Sequence, residues 1–221
     1  MIIWKMSDPI DFTRAEARVV GTWDSSLGEF CAECGVSLRT VKRPLVIKWD
    51  YAGVVGDFTH AETTLVSARA GRLLQSRFHG FELWPARDSQ ADGARAHKAA
   101  GTDVEQAVFG LTITRWVHLD AERSSARLLR KCAACGRERW DVEGIEVRSS
   151  RWNKQQQRLV DVYAPREADK GLFVRRHDLQ GADVFGIFEF RGDLFLTDAA
   201  KRAIEDEHLT NVRFLEVGTV L

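Results

Sequence analysis

The sequence predicts an α+β fold of mixed or antiparallel sheets with a few helices, its two halves joined by a pair of Cys-x-x-Cys-Gly turns. Three observations carry that expectation. Short runs rich in β-branched and aromatic residues, such as 44–49 (PLVIKW) and 108–119 (VFGLTITRWVHL), fit strands. Two strand–helix–strand patterns, near 65–83 and 196–214, each put a cap residue before a helical stretch. All four cysteines fall in Cys31-Ala32-Glu33-Cys34-Gly35 and Cys132-Ala133-Ala134-Cys135-Gly136.

In chain order, residues 2–6 read as a first strand, and 11–20 fit a short helix or a strand equally well. Residues 21–28 read as a loop leading into the first cysteine pair. The polar stretch 57–60 (DFTH) after Gly56 reads as a turn. The most linker-like segment is 85–101, rich in Ala, Asp, Gly and Arg, expected as an exposed loop or short helix. A basic stretch, 123–131, leads into the second cysteine pair, and β-rich segments at 142–147 and 158–163 follow.

The two strand–helix–strand patterns resemble one another. Leu65-Val66-Ser67 opens a unit that passes Leu73 and Phe78 to reach Gly80-Phe81-Glu82-Leu83. Leu196-Thr197-Asp198 opens another that passes Ile204 and Leu209 to reach Asn211-Val212-Arg213-Phe214, at a constant offset of 131 positions (198 − 67). Ser67 and Asp198 suit N-caps, whose side-chain oxygens accept from free first-turn amides. Gly80 and Asn211 suit turn positions with φ > 0. The cysteine pairs are offset by 101 positions (132 − 31), so a duplication requires an insertion of about 30 residues in the second half. Duplication and the chance likeness of two capped units stay equally open on this evidence.

At 221 residues the chain reads as one domain of two lobes, about 1–100 and 101–221, clasped at the cysteines. With 44% hydrophobic residues and seven Trp there is ample material for a core, which excludes intrinsic disorder. A formal net charge of zero argues against a general nucleic-acid or membrane-surface binder. The N-terminus lacks a basic segment followed by a long apolar run, and no window is long and apolar enough for a membrane span. The expected location is the cytoplasm, where thiols stay reduced and paired cysteines read first as metal ligands.

A two-residue gap lets both sulfurs of one tight turn, a knuckle, face a single ion, and two such turns complete a tetrahedral shell. Gly35 and Gly136 follow because the chain turns sharply there, in a conformation with φ > 0. Cys31, Cys34, Cys132 and Cys135 are therefore the expected ligands of one structural Zn²⁺ per chain. Four thiolates close the shell and leave no position for water or substrate. Redox Cys-x-x-Cys chemistry, an iron–sulfur cluster and metal-free buried thiols are the competing readings.

Enzymatic activity is not expected. The six histidines are scattered without metal-ligand spacing, and neither a phosphate-binding glycine loop nor a nucleophile elbow is present. Arg123, Arg127, Arg130, Lys131, Arg137 and Arg139 with Trp140 raise a nucleic-acid reading. Asp120, Glu122, Glu138, Asp141 and Glu143 dilute that field, which favours a solvated charged face.

Two Cys-x-x-Cys-Gly motifs about a hundred residues apart, in a chain of this length, resemble the double-CXXCG immunity proteins of myxobacterial swarm-inhibition toxin–immunity systems. The segments Asp183-Val184-Phe185, Leu194-Phe195-Leu196-Thr197, 199–207 and 209–214 look like that family's closing region. The middle, about 37–108, is not matched, and the usual proline inside the knuckle is replaced by Ala-Glu and Ala-Ala. The resemblance implies a cytoplasmic antidote that binds the toxic domain of a cognate lipoprotein toxin and blocks it by steric occlusion. It implies no chemistry by the protein itself. The alternative is a zinc-ribbon nucleic-acid-binding or regulatory module.

Overall fold

A computed structural model describes residues 1–7, 17–20, 23–24, 28–38, 40–49, 55–89, 108–145, 147–153 and 158–221. Among the described residues the fold is mostly β, with three short helices: α1 (Ala68–Arg77), α2 (Arg176–Leu179) and α3 (Asp198–Asp206). Two mixed six-stranded sheets dominate the described residues. One has the order Ala17–Val19, Leu45–Trp49, Phe81–Asp88, Val108–Ile113, Thr64–Ser67, Phe58–His60. The other runs Leu172–Val174, Arg213–Val220, Ile2–Ser7, Leu194–Thr197, Val184–Ile187, Trp116–Val117.

Five consecutive places in these sheets match in order and direction. Leu45–Trp49 lies parallel to Phe81–Asp88, as Leu172–Val174 lies parallel to Arg213–Val220. Each strand–helix–strand unit then leaves a gap between its two strands, and an antiparallel third strand fills it. Val108–Ile113 fills the gap between Phe81–Asp88 and Thr64–Ser67. Ile2–Ser7 fills the one between Arg213–Val220 and Leu194–Thr197. Both fillers come from the other half of the chain, so the two halves exchange their leading strands. The second half also carries an extra element. The hairpin of Val147–Asn153 with Arg158–Tyr163 lies between the second knuckle and Leu172–Val174, and the first half has no counterpart among the described residues.

Side-chain alternation explains why the sheets bind together. In Thr64–Ser67, Leu65 faces a core with Leu45, Ile47 and Trp84, while Val66 faces the opposite way. Leu194 and Leu196 likewise point away from Phe195, which packs with Ile3, Val174 and Phe185. Val66 and Leu196 meet in one shared core, where Ala70 and Leu74 of α1 join Ala200 and Ile204 of α3. Small residues on the inner helix faces let the two helices share that core.

Several sequence expectations change in detail. Ser67 caps α1, accepting from the Ala70 amide at 3.1 Å. Asp198 does not cap α3; Thr197 holds the N-cap position. The Asp198 carboxylate instead accepts from the Ile2 amide and the Trp4 indole, both at 2.8 Å, and so holds the incoming N-terminal strand. Gly80 and Asn211 both have positive φ, 101° and 60°. The expected turn at 57–60 is mainly strand, Phe58–His60, with Asp57 buried beneath it. Asp57 accepts from the Ser67 hydroxyl at 2.7 Å and the Thr210 amide at 2.9 Å, joining the two strand–helix–strand units. Residues 85–88, expected as loop or helix, complete the strand Phe81–Asp88 because they pair on both sides. The single run 108–119 breaks at 114–115, where both amides bond the Gly80 carbonyl, and its two parts enter different sheets. Residues 11–16 and 90–101 lie outside the described residues.

Candidate metal centre

Each cysteine pair sits at the tip of a two-stranded ribbon. The first ribbon is short, Trp23–Asp24 with Thr40–Val41, and a Phe30–Ser37 bridge closes its tip. The second is longer, Ala126–Lys131 with Glu138–Val142, and Lys131 opposite Glu138 occupies the equivalent place. Within the tips the geometry repeats bond for bond. Cys31 donates to Val36 at 2.8 Å, and Cys132 donates to Arg137 at 2.9 Å. Gly35 donates back to the Cys31 carbonyl at 2.8 Å, and Gly136 to that of Cys132 at 2.9 Å. The glycine φ values are 70° and 71°, the left-handed turn that a residue without Cβ adopts most readily.

The ribbons meet tip to tip. All four Sγ atoms lie within 4.8 Å of one another. Cys31 Sγ is 3.7 Å from Cys132 Sγ, and Cys34 Sγ is 3.6 Å from Cys135 Sγ. Disulfide sulfurs are about 2.05 Å apart, so these are free thiols. A tetrahedron with metal–sulfur distances of about 2.3 Å has edges of about 3.8 Å, so the donor set fits one ion of that type. Cys31 and Cys132 are buried, whereas Cys34 and Cys135 lie toward the surface.

Backbone amides prepare the sulfurs for negative charge. Those of Cys34 and Glu33 face the Cys31 sulfur and bring its pKa down to about 7, against burial. At the equivalent place the amides of Cys135 and Ala134 face Cys132. Here burial and the neighbouring thiols outweigh them, and the last proton is held up to about 12. Four thiolates this close repel one another, and a bound cation would relieve that repulsion.

Glu33, which no sequence motif singles out, ties the two knuckles together. Its carboxylate crosses from the first knuckle to the second, accepting from the Ala134 amide at 3.0 Å and from Arg130 at 3.2 Å. These contacts, the Ala134 amide foremost, hold its pKa below the usual carboxylate range. The available signal was the asymmetry between Ala-Glu and Ala-Ala in the two gaps. Five of the six histidines are described, and none joins the cluster; His97 lies outside the described residues.

A cleft of about 940 Å³ opens beside the site. One wall is the second ribbon with Trp140, and the facing wall is the turn Phe188–Phe190 with Arg191. The first knuckle contributes Cys34, Val36 and Leu38. No protein-family model and no curated protein matches the chain. Among the described residues, no helix is long and apolar enough to cross a membrane. The geometry by itself defines a four-cysteine cluster, drawn from both halves, that fits one metal ion.

Proposed function

We propose that this protein is a cytoplasmic immunity protein, a non-enzymatic binder that neutralises a cognate toxin domain by covering it, with one structural zinc as its clasp. The observation that carries the reading is the pair of Cys-x-x-Cys-Gly knuckles closing on a single four-thiol centre. That pairing underlies the resemblance to the double-CXXCG immunity family of swarm-inhibition systems. A centre closed by four thiolates suits zinc and offers no open coordination position, so its use is to hold surfaces in place.

The test is direct. The toxic domain encoded by the neighbouring gene is expected to bind the purified protein tightly, and co-expression should rescue cells producing that domain. Absence of both binding and rescue would sink the immunity reading. Elemental analysis should find one zinc per chain, lost together with folded yield in Cys34→Ser and Cys135→Ser. Protein purified without added metal and found metal-free would remove the clasp.

One observation favours a second reading, a zinc-ribbon nucleic-acid binder. Arg137 and Arg139 beside Trp140 have no carboxylate partner among the described residues. Such a binder would bind single-stranded DNA or RNA with steep salt dependence, and no binding at low salt would discard it.

A further inference from the structure

We infer that the cleft beside the cysteine cluster is the docking surface for the partner protein, and that it takes an acidic segment carrying an apolar side chain. The inference rests on the binding-protein reading above and names its interface.

Two independent distributions coincide here. The first is apolar exposure. The large hydrophobic side chains that stand exposed among the described residues are Met1, Phe30, Leu128, Leu129, Phe188 and Leu221. Met1 and Leu221 are the two ends of the sequence. The other four lie on the two knuckle ribbons or beside them: Phe30 precedes Cys31, Leu128 and Leu129 lie on the second ribbon, and Phe188, alone of the four, lines the cleft itself. Leu128 pairs directly with Trp140, so the two side chains share one face of the ribbon, and Trp140 lines the cleft as well. Isolated exposed apolar residues are ordinary, but their concentration at one place marks an interaction site.

The second distribution is charge. The chain as a whole is neutral, yet five cations line this cleft, Arg130, Lys131, Arg137, Arg139 and Arg191, against Glu138, Glu189 and Asp193. Each of the three acids is engaged within the protein. Glu138 binds Lys131 at 2.9 Å and the Trp140 indole at 3.1 Å. Glu189 binds His118 at 3.0 Å, and Asp193 binds Lys5 at 2.8 Å. Arg130 faces Arg139 across the ribbon, a like-charge pair that costs stability unless an anion lies over it. Glu33 answers Arg130, and Arg191 meets the charge of Glu138 only from beyond ion-pair distance; no described carboxylate forms an ion pair with Arg137 or Arg139. Arg191 lies over the Phe188 ring at 5.7 Å, and His118 stacks on that ring at 4.5 Å. The Arg191 guanidinium on the Phe188 ring, with Trp140 across the cleft and Leu128 beside it on the ribbon, makes the mixed aromatic and cationic surface that protein hot spots use. Nucleic acid would match the charge but not the leucines, and a neutral chain lacks the broad basic field that nucleic-acid binders carry.

The experiment measures binding of the toxic domain by wild type, Arg139→Glu/Arg191→Glu, Phe188→Ala and a control, Arg202→Glu on the remote helix α3. All four sites are solvent-facing, and unfolding curves with zinc content verify the fold; Arg139→Gln serves if the double variant misfolds. The double reversal should weaken binding by about 30-fold or more and flatten its salt dependence, and Phe188→Ala by about tenfold. Arg202→Glu should stay within about twofold of wild type. Unchanged affinity in the cleft variants, with wild type bound tightly, overturns the surface and leaves the immunity reading standing. If wild type fails to bind the toxic domain, that reading falls, and a fluorescent peptide alternating Asp or Glu with Leu and Phe tests the cleft alone. Peptide binding lost in the double reversal keeps the surface; absence of peptide binding overturns it. A twenty-nucleotide single strand that binds more tightly than either protein probe also overturns it, in favour of the nucleic-acid reading.

Discussion

The two halves of this protein solve the same structural problem with different amounts of chain. Both place a Cys-x-x-Cys-Gly tip before a strand–helix–strand unit, and both receive the missing middle strand from the other half. The tips superimpose in hydrogen bonds and in glycine φ, 70° against 71°. Beyond the tips the halves diverge. The first ribbon has two residues per strand, whereas the second has six and five and carries Leu128, Leu129 and most of the unanswered arginines. The second half also carries the extra hairpin. The halves coincide where a metal shell or a sheet register dictates geometry, and they diverge where solvent faces the chain. The divergent ribbon is the one expected to have acquired a partner.

The strongest way to break this comparison is to separate the halves. Residues 1–100 and 101–221 expressed alone should each lack cooperative unfolding, because each loses the central strand of its sheet; mixed, they should reassemble into a zinc-binding complex. A half that folds by itself, seen by circular dichroism and a urea transition, would end the strand-exchange account.

A sharper probe is the paired turn at Gly80 and Asn211. A Cβ on Gly80 would collide with the Val184 carbonyl, and its φ of 101° is hostile to side chains. Gly80→Ala should therefore destabilise by roughly 3 kcal/mol or more in denaturant unfolding. Asn211, at φ 60°, bonds the Phe58 carbonyl at 2.6 Å, and Asn211→Gly should cost only about 1 kcal/mol. Equal costs would contradict the close approach at Gly80 as the cause of the difference between the two turns.

The strands leading into the knuckles are also held differently. Glu62 accepts from the Val19 amide at 2.9 Å in the first half, while buried Asp120 pairs with Arg175 at 2.8 Å in the second. The Arg175 guanidinium, with the Arg123 and Glu122 amides, holds the Asp120 carboxyl below its usual range. A carboxylate with a depressed pKa stabilises the fold above its unfolded value, near about 4, and loses that contribution as pH falls through the folded value. Asp120→Asn should lower the urea midpoint at pH 7, and the gap to wild type should close below about pH 4. A gap that persists in acid would reassign the effect to lost hydrogen bonds.

The smallest effect should be the most symmetric. Nothing lies within 4 Å of a Cβ built on Gly35 or on Gly136, so alanine there meets only the left-handed backbone penalty. Each substitution should cost about 1–2 kcal/mol, and the two costs should agree. Unequal costs would expose a constraint that the shared backbone geometry does not contain.

Much of this was legible in the chain because it is local. The tips, their glycines, the Ser67 cap and the two strand–helix–strand patterns depend on neighbours a few residues away, and local chemistry repeats wherever the same geometry is needed. The offsets of 131 and 101 positions differ by about 30 residues, and between the second knuckle and Leu172–Val174 the structure has a hairpin, Val147–Asn153 with Arg158–Tyr163, that the first half does not show among the described residues. The expected Asp198 cap failed for a non-local reason. Its carboxylate serves the Ile2 amide and the Trp4 indole from the far end of the chain, and no pattern near residue 198 announces that.

By itself, then, the sequence determined the two knuckle turns with their glycines, the positive-φ turns at Gly80 and Asn211, and which four sulfurs share a spacing suited to one ion, since each follows from backbone conformation over a few bonds. Only the tertiary structure decided that leading strands cross between the halves, that Glu33 bridges to Ala134, and that Phe188 and Arg191 face Trp140 across a cleft. These depend on sheet pairings between segments far apart in the chain, and pairing is set by the fit of whole buried faces, which no short stretch encodes.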